Sequence, residues 1–317
     1  MLRYSGGMIQ DAVEIKSLNK TYKASRRFPE KVALKDVDLA IPRGSMFALL
    51  GPNGAGKSTL INIMAGLVVK SSGSVNIWGF DIDTDDRSAK AAIGVVPQEI
   101  NYDPYFTPLQ LLELQAGMYG VRKSERRSME ILEMVGLADK ANAYTRSLSG
   151  GMKRRLLVAK AMVHNPPILV LDEPTAGVDI ELRRQLWDNV KLLNKQGVTI
   201  LLTTHYLEEA EELCDKVAII NNGRVVACED KDVMMRRVEG KELIFTVDRE
   251  IASMPEGLAA YCADLRSKRE IRVRYAPKDV TAGQIIDSVQ KAGLGIVDLV
   301  SEQSDLEDVF LQLTSSS

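Results

Sequence analysis

The chain has 317 residues, 45% of them hydrophobic and 26% charged, an ordinary globular balance with length for one large domain and a smaller one. A net charge of −2 supplies no basic field for nucleic acid, and Cys214, Cys228 and Cys262 form no CxxC pair, which argues against a disulfide framework or zinc site and fits a reducing cytoplasm. No apolar run approaches the about 18 residues that span a bilayer, and 1–10 reads as a loose leader without a secretory core segment.

Residues 12–16 alternate like a strand, 24–30 read as a loop, and 32–41 alternate again, so an antiparallel pair is expected to lead into the core. After the turn at 42–44, the apolar run 45–50 has a strand's length. It runs into Gly51-Pro52-Asn53-Gly54-Ala55-Gly56-Lys57-Ser58-Thr59, and 60–66 continue as a helix. Strands are expected at 74–78 and 92–96. Residues 107–144 are helical in tone, with Thr107-Pro108 as cap and first turn, and 99–165 read as a mostly helical subdomain inserted in the α/β core. A helix follows over 153–163 and is stopped by Pro166-Pro167. The apolar run 168–171 reads as a buried parallel strand ending in Asp172-Glu173.

A helix at 182–195, a buried strand at 198–203 ending at His205, an acidic helix at 207–213 and a hairpin turning at Asn221-Asn222-Gly223 complete a domain over 11–230. A charge-rich short helix or linker is expected over 229–241, with 231–241 as the boundary between domains. From 242 to 317 a small C-terminal α+β domain is expected, with strands at 243–247, 271–275 and 296–300 and helices at 282–291 and 306–313.

The chemistry is concentrated in a few places. The 51–59 stretch has the phosphate-binding spacing, glycine, four residues, then Gly-Lys-Ser, between a strand and a helix. Backbone N–H groups and a helix N-terminus would face phosphate, Lys57 would reach the β- and γ-phosphates, and Ser58 would ligate Mg²⁺. Asp172 at a buried strand end could hold the water shell of that ion, and Glu173 could orient or deprotonate an attacking water. Leu148-Ser149-Gly150-Gly151-Met152 opens a helix and forms a second anion site, which suggests use on the nucleotide of a partner subunit. Lys153-Arg154-Arg155 and the acidic run 208–212 read as solvated helix faces, and His164 carries no assigned role.

Taken together and in order, these motifs resemble the nucleotide-binding subunit of an ATP-binding cassette (ABC) transporter over roughly 11–230. The resemblance implies a P-loop NTPase core with an antiparallel β subdomain and an inserted helical subdomain, an ATPase using ATP and Mg²⁺. It implies Tyr22 as the adenine-stacking aromatic, 51–59 as the Walker A loop and Gln98 as the Q-loop glutamine that senses Mg²⁺. It also implies 148–152 as the signature motif, Asp172 as the Walker B carboxylate, Glu173 as catalytic base, Asp179 in the D-loop and His205 as the switch histidine. Met152 stands for the commoner glutamine, and Val178 and Ile180 for the commoner Leu and Pro; none removes a catalytic group.

The family pattern implies a head-to-tail, ATP-dependent homodimer. It also implies a membrane permease docked near 101–112, at the inner face of the cell membrane. The tail from Ser304 to Leu313 resembles the bacterial exporter branch that includes drug-, lipid- and polysaccharide-export systems. The alternative is a soluble cassette ATPase working on ribosomes or nucleic acid. The single cassette, weakly acidic charge and missing long coiled coil argue against it.

Overall fold

The computed structural model describes residues 11–24, 29–99, 103–175, 180–237, 241–251, 253–258, 261–275, 279–303 and 306–315. The leader 1–10, Asn101, the D-loop 176–179 with Val178 and Asp179, and Ser304 of the tail lie outside the described residues. The chain divides between Lys231 and Asp232 into two units.

In the first unit, alternating sequence builds a hairpin. Asp11–Tyr22 (β1) and Lys31–Pro42 (β2) pair antiparallel with Ile15 opposite Leu39, and Val13, Ile15, Leu18, Leu34, Val37 and Leu39 turn inward. Met46–Leu50 (β3) follows, with all five residues buried, and then Lys57–Met64 (α1). Ser72–Ile77 (β4) pairs antiparallel with β1, and Phe80–Asp81 (β5) adds a short edge, giving the sheet order β2-β1-β4-β5. Asp86–Ala91 (α2), capped by Asp85, and Ile93–Val96 (β6) come next. Neither β5 nor α2 carries an apolar period, which is why the sequence reading passes over them.

The 107–144 stretch, helical in tone as read, contains two α-helices. Pro108–Met118 (α3) starts on a capping box between Thr107 and Gln110, and Ser128–Met134 (α4) follows, with Gly120 and Gly136 at positive φ just beyond the two ends. Gly150–Met162 (α5) packs Leu156, Ala159 and Val163 on Leu112, Ala116, Ile131 and Leu132 of these helices, so the helical layer has its own core. His164, just past α5, lies flat on Tyr119 with ring centroids 3.7 Å apart and contacts the Ile93 carbonyl, a packing position.

Ile168–Asp172 (β7), Ile180–Lys195 (α6), Thr199–Thr203 (β8), Leu207–Leu213 (α7), Lys216–Asn221 (β9) and Arg224–Asp230 (β10) complete the core. The six-stranded sheet runs β10-β9-β3-β8-β7-β6, parallel except for β10. Continuous apolar strands such as 168–171 are what a sheet covered on both faces requires. Asn222 and Gly223, both at positive φ, make the tight β9–β10 turn. One apolar cluster joins the two sheets through α1, with Phe47, Leu49, Leu60, Ile61, Val170 and Leu201 among its buried members. Each such side chain contributes about 1.5–3 kcal/mol on burial.

Lys231–Arg237 (α8) spans the division between the units. The second unit is a four-stranded antiparallel sheet, order β12-β13-β11-β14. Its elements are Lys241–Val247 (β11), Cys262–Ser267 (β12), Glu270–Tyr275 (β13), Ala282–Lys291 (α9), Ile296–Gln303 (β14) and Leu306–Ser315 (α10). Leu243, Phe245, Ile271 and Val273 bury against Ile285 and Val289 of α9. β12 carries little sequence signal, since Ala263 and Leu265 are its inward-packed apolar residues, too weak an alternation to mark a strand.

Candidate active site

Parallel strands deliver their C-terminal ends to one edge of a sheet. Here that edge gathers the ends of β3, β6, β7 and β8, and hence Gly51, Gln98, Asp172 with Glu173, and His205. A cavity of about 400 Å³ opens there. It is lined by Tyr22, Lys31 and Ala33 from the antiparallel sheet, by Asn53, Gly54, Ala55, Gly56, Lys57, Ser58 and Thr59, and by Gln98, Glu173 and His205. Lys31 and Ala33 were not singled out from the sequence, since nothing local marks them; the β1–β2 pairing of Tyr22 with Lys31 puts them beside the aromatic. Lys20 Nζ lies 4.7 Å above the Tyr22 ring.

The loop is held open by close backbone packing. A Cβ at Gly51 would lie 2.3 Å from the Ile220 carbonyl oxygen, and one at Gly56, at φ +118°, 2.8 Å from that of Ala33. Pro52 accepts a bond from Ala55 N at 3.1 Å, and Ala55 O accepts one from Gly223 N at 2.9 Å, so the β9–β10 turn braces the loop. Lys57 is buried, and its Nζ donates to Gly51 O at 2.5 Å and Pro52 O at 3.3 Å. Burial pushes the Lys57 ammonium below the usual lysine range, while the charges of Glu173 and Asp172 pull it back up. A buried cation facing an open cavity, with loop carbonyls as its hydrogen-bond partners among the described residues, is suited to an anion.

On the opposite wall, Asp172 Oδ1 accepts from Thr203 Oγ1 at 2.5 Å. Burial holds the Asp172 carboxyl above its ordinary range; the Thr203 bond opposes this, neighbouring Glu173 adds to it, and Lys57 and Arg154 lower it. The backbone of Glu173 is left-handed, at φ +45°, and its N–H donates to Thr203 O and Oγ1 at 3.0 and 3.1 Å. Such strain in a non-glycine residue persists only where surroundings impose it, and it aims this side chain into the cavity. Gln98 Nε2 donates to Glu173 Oε2 at 2.8 Å, and His205 Nδ1 lies 3.4 Å from the same oxygen. Thr203, unremarked in the sequence, thus ties both acidic residues together.

Two charged runs expected to lie on solvated helix faces turn one residue or more inward. Glu209, in the run taken as a solvated face, is buried and accepts from Thr175 Oγ1 at 2.7 Å and Thr204 Oγ1 at 2.8 Å, with Arg183 Nε 3.4 Å away. Arg154, in the run taken as a basic helix face, is also buried, and Arg155 Nη1 donates inward to Val135 O and Gly136 O. The three-residue and four-residue periods put these positions on the inner faces of their helices, and each charge is matched by polar partners.

Ser149 caps α5, its Oγ accepting from Met152 N at 3.3 Å. It is exposed with Gly150, while Gly151 is buried. Among the described residues lining the cavity, none comes from 148–152. The donors near Lys57 that could share a divalent cation are the Ser58 hydroxyl, the Asp172 carboxylate and the Gln98 amide, all oxygen atoms suited to Mg²⁺. Among the described residues no three His, Cys, Asp or Glu side chains converge on an ion. A cation there would have to complete its coordination with phosphate oxygens and water.

A glycine loop opening a helix beside a carboxylate-tipped strand and a histidine-tipped one defines a P-loop nucleoside triphosphatase. Residues 34–176 match the family described as ABC transporter. The linearmycin resistance ATP-binding protein LnrL of Bacillus subtilis (strain 168) is 35% identical over 299 residues, covering 91% of this chain and 96% of that protein. Nod factor export ATP-binding protein I of Cupriavidus pinatubonensis is 35% identical over 92% of this chain and 89% of its own. An ATP-binding subunit of an ABC transporter superposes with TM-score 0.63 at 30% identity, covering 71% of this chain and 92% of that one. An ATP-binding cassette solved as a dimer in a post-hydrolysis state with ADP and Pi gives 0.61 at 32%, covering 69% and 98%. The chain belongs to the ABC transporter family, as an ATP-binding subunit and an ATPase. No helix among its described residues is long and apolar enough to cross a membrane.

Proposed function

We propose that two copies of this chain close head to tail on ATP and so drive a separate membrane permease that exports its cargo. The carrying observation is that Lys57, Ser58, Gln98, Glu173 and His205 converge on one cavity to which 148–152 contribute nothing. Ser149, Gly150 and Gly151 are therefore assigned to the ATP of the second chain, where exposed Ser149 and the N-terminus of α5 offer donors to a γ-phosphate. Asp179 is assigned to the same interface.

Within one chain, Tyr22 stacks on adenine, and the backbone of Gly51, Pro52, Asn53, Gly54, Ala55 and Gly56, with Thr59, wraps the phosphates. Lys57 exchanges its carbonyl partners for phosphate oxygens. Ser58, Asp172 and Gln98 would hold Mg²⁺, which neutralises charge on the phosphates when bound. Glu173 orients and deprotonates the attacking water, and His205 bonds the γ-phosphate. Gln98 donates to the Glu173 carboxylate. That charge-assisted bond, of about 1.5–3 kcal/mol, must be given up before Glu173 can accept from water. With that bond released, Glu173 would be free to accept from water and the Gln98 amide free to help hold the cation.

The exporter assignment is supported by relatives named for linearmycin resistance and Nod factor export that align along 91–92% of the chain, well beyond the cassette. Co-expression with its permease should give a complex that survives detergent extraction. Reconstituted in vesicles with this chain outside, that complex should move cargo inward, away from the nucleotide side, only with hydrolysable ATP. Failure to co-purify with any membrane protein, or cargo moving towards the nucleotide side, would overturn it. Salt-sensitive association with ribosomes would favour the soluble alternative.

A further inference from the structure

Arg154 is a charged side chain only 3% exposed, on the helix capped by Ser149, and the nucleotide cavity does not include it. Its Nη1 donates to Pro97 O at 2.9 Å and to Gln98 O at 2.8 Å, and its Nη2 donates to Glu173 O at 3.1 Å. One rigid fork therefore grips the backbone of the residue assigned to sense the cation and of the residue assigned as base. Nε makes no hydrogen bond among the described residues, so the fork is the whole of its anchorage. The side chains of Gln98 and Glu173 are themselves joined at 2.8 Å, which closes a triangle with Arg154 at its apex.

On its other side α5 is packed through Leu156, Ala159 and Val163 into the core of the helical layer. The helix is thus tied by apolar contacts to that layer, backs onto β6 near its C-terminal end, where a Cβ at Gly94 would lie 2.3 Å from the Ala161 carbonyl oxygen, and reaches the catalytic edge of the sheet from its N-terminal half through the Arg154 guanidinium. Ser149 lies five residues upstream on the same rigid element, about 7.5 Å along the axis.

We propose that Arg154 is a positioning residue that couples the two ATP sites of a dimer. It sets the place of Ser149, which serves the second chain's ATP, by the backbone positions of Gln98 and Glu173, which serve its own. This rests on the reading of Ser149 as completing the site of a second chain. Any movement of the 97–98 carbonyls that accompanies a turn of the Gln98 side chain away from Glu173 would be passed to α5 through the two bonds of the fork. An ammonium cannot replace it: the three donors of lysine radiate from one nitrogen and lack the planar fork that spans both arms.

Arg154→Lys and Arg154→Gln, made in the full chain, test this, and each is also combined with Glu173→Gln. ATP affinity, read with a fluorescent ATP analogue, is expected within about threefold of the parent, while turnover falls about tenfold or more, least in Arg154→Lys. ATP-driven dimerisation of the Glu173→Gln chain, followed by sedimentation, should weaken about tenfold on adding either change. That last readout separates the proposal from a role in merely holding the base, because no base is present. Unchanged dimerisation, or ATP affinity lost in step with turnover, would overturn it. Ser149→Ala in the same Glu173→Gln chain is the control. If it leaves dimerisation intact, the composite site is wrong and the coupling falls with it. If it abolishes dimerisation and the Arg154 changes do not, only the coupling falls.

Discussion

Glu173→Gln is expected to lower ATP hydrolysis by about 10²–10⁴-fold, the share a positioned base contributes, without weakening ATP binding. The amide keeps the volume of the carboxylate and its reach into the cavity, so the left-handed backbone held by Thr203 has no reason to change. It cannot take a proton from water. ATP therefore stays intact in the closed site, and the dimer accumulates. Steady-state hydrolysis together with sedimentation in ATP measures both halves of this expectation. A variant hydrolysing ATP at the parent rate would remove Glu173 from the chemistry. A variant that loses ATP binding would make it a structural residue of the pocket.

Lys57→Ala should show the opposite split. Here the loss is in binding: ATP affinity should drop by at least about a hundredfold, from two charged hydrogen bonds to phosphate of about 1.5–3 kcal/mol each. The chain should remain folded, because among the described residues the ammonium bonds the carbonyls of its own loop, Gly51 O and Pro52 O, and alanine suits the first turn of α1. Without bound ATP no dimer should form at concentrations that saturate the parent. Equilibrium binding and a thermal melt in parallel check this. Parent-like ATP affinity in Lys57→Ala would refute its phosphate role, and a collapsed melt would make it a structural brace.

Much of this site is legible in sequence because its parts are local. Glycines and lysine at fixed spacing define the loop, and buried apolar runs ending in Asp172-Glu173 and just before His205 announce strand ends that a parallel sheet then aligns. What stays hidden depends on which element lies beside which. The chain order of β3, β7 and β8 does not state that β8 lies between the other two, which is what brings Thr203 to Asp172 and Glu173. Arg154 and Glu209 sit in charged runs that look solvated, and only the packing of their helices turns one residue of each inward. Local pattern reports which residues can be polar and exposed. It does not report where a buried charge finds backbone carbonyls or hydroxyls to satisfy it.

The central claim is that each catalytic site is shared between two chains, and mixing two inactive variants tests it most directly. Ser149→Ala and Glu173→Gln are each expected to hydrolyse almost no ATP alone. In a mixed dimer, one of the two sites keeps Glu173 from the first variant and Ser149 from the second, so it is intact. The mixture should therefore hydrolyse ATP at a rate neither variant reaches, greatest near equal proportions. A mixture no faster than the sum of its components at every ratio, with mixed dimers present, would contradict the account.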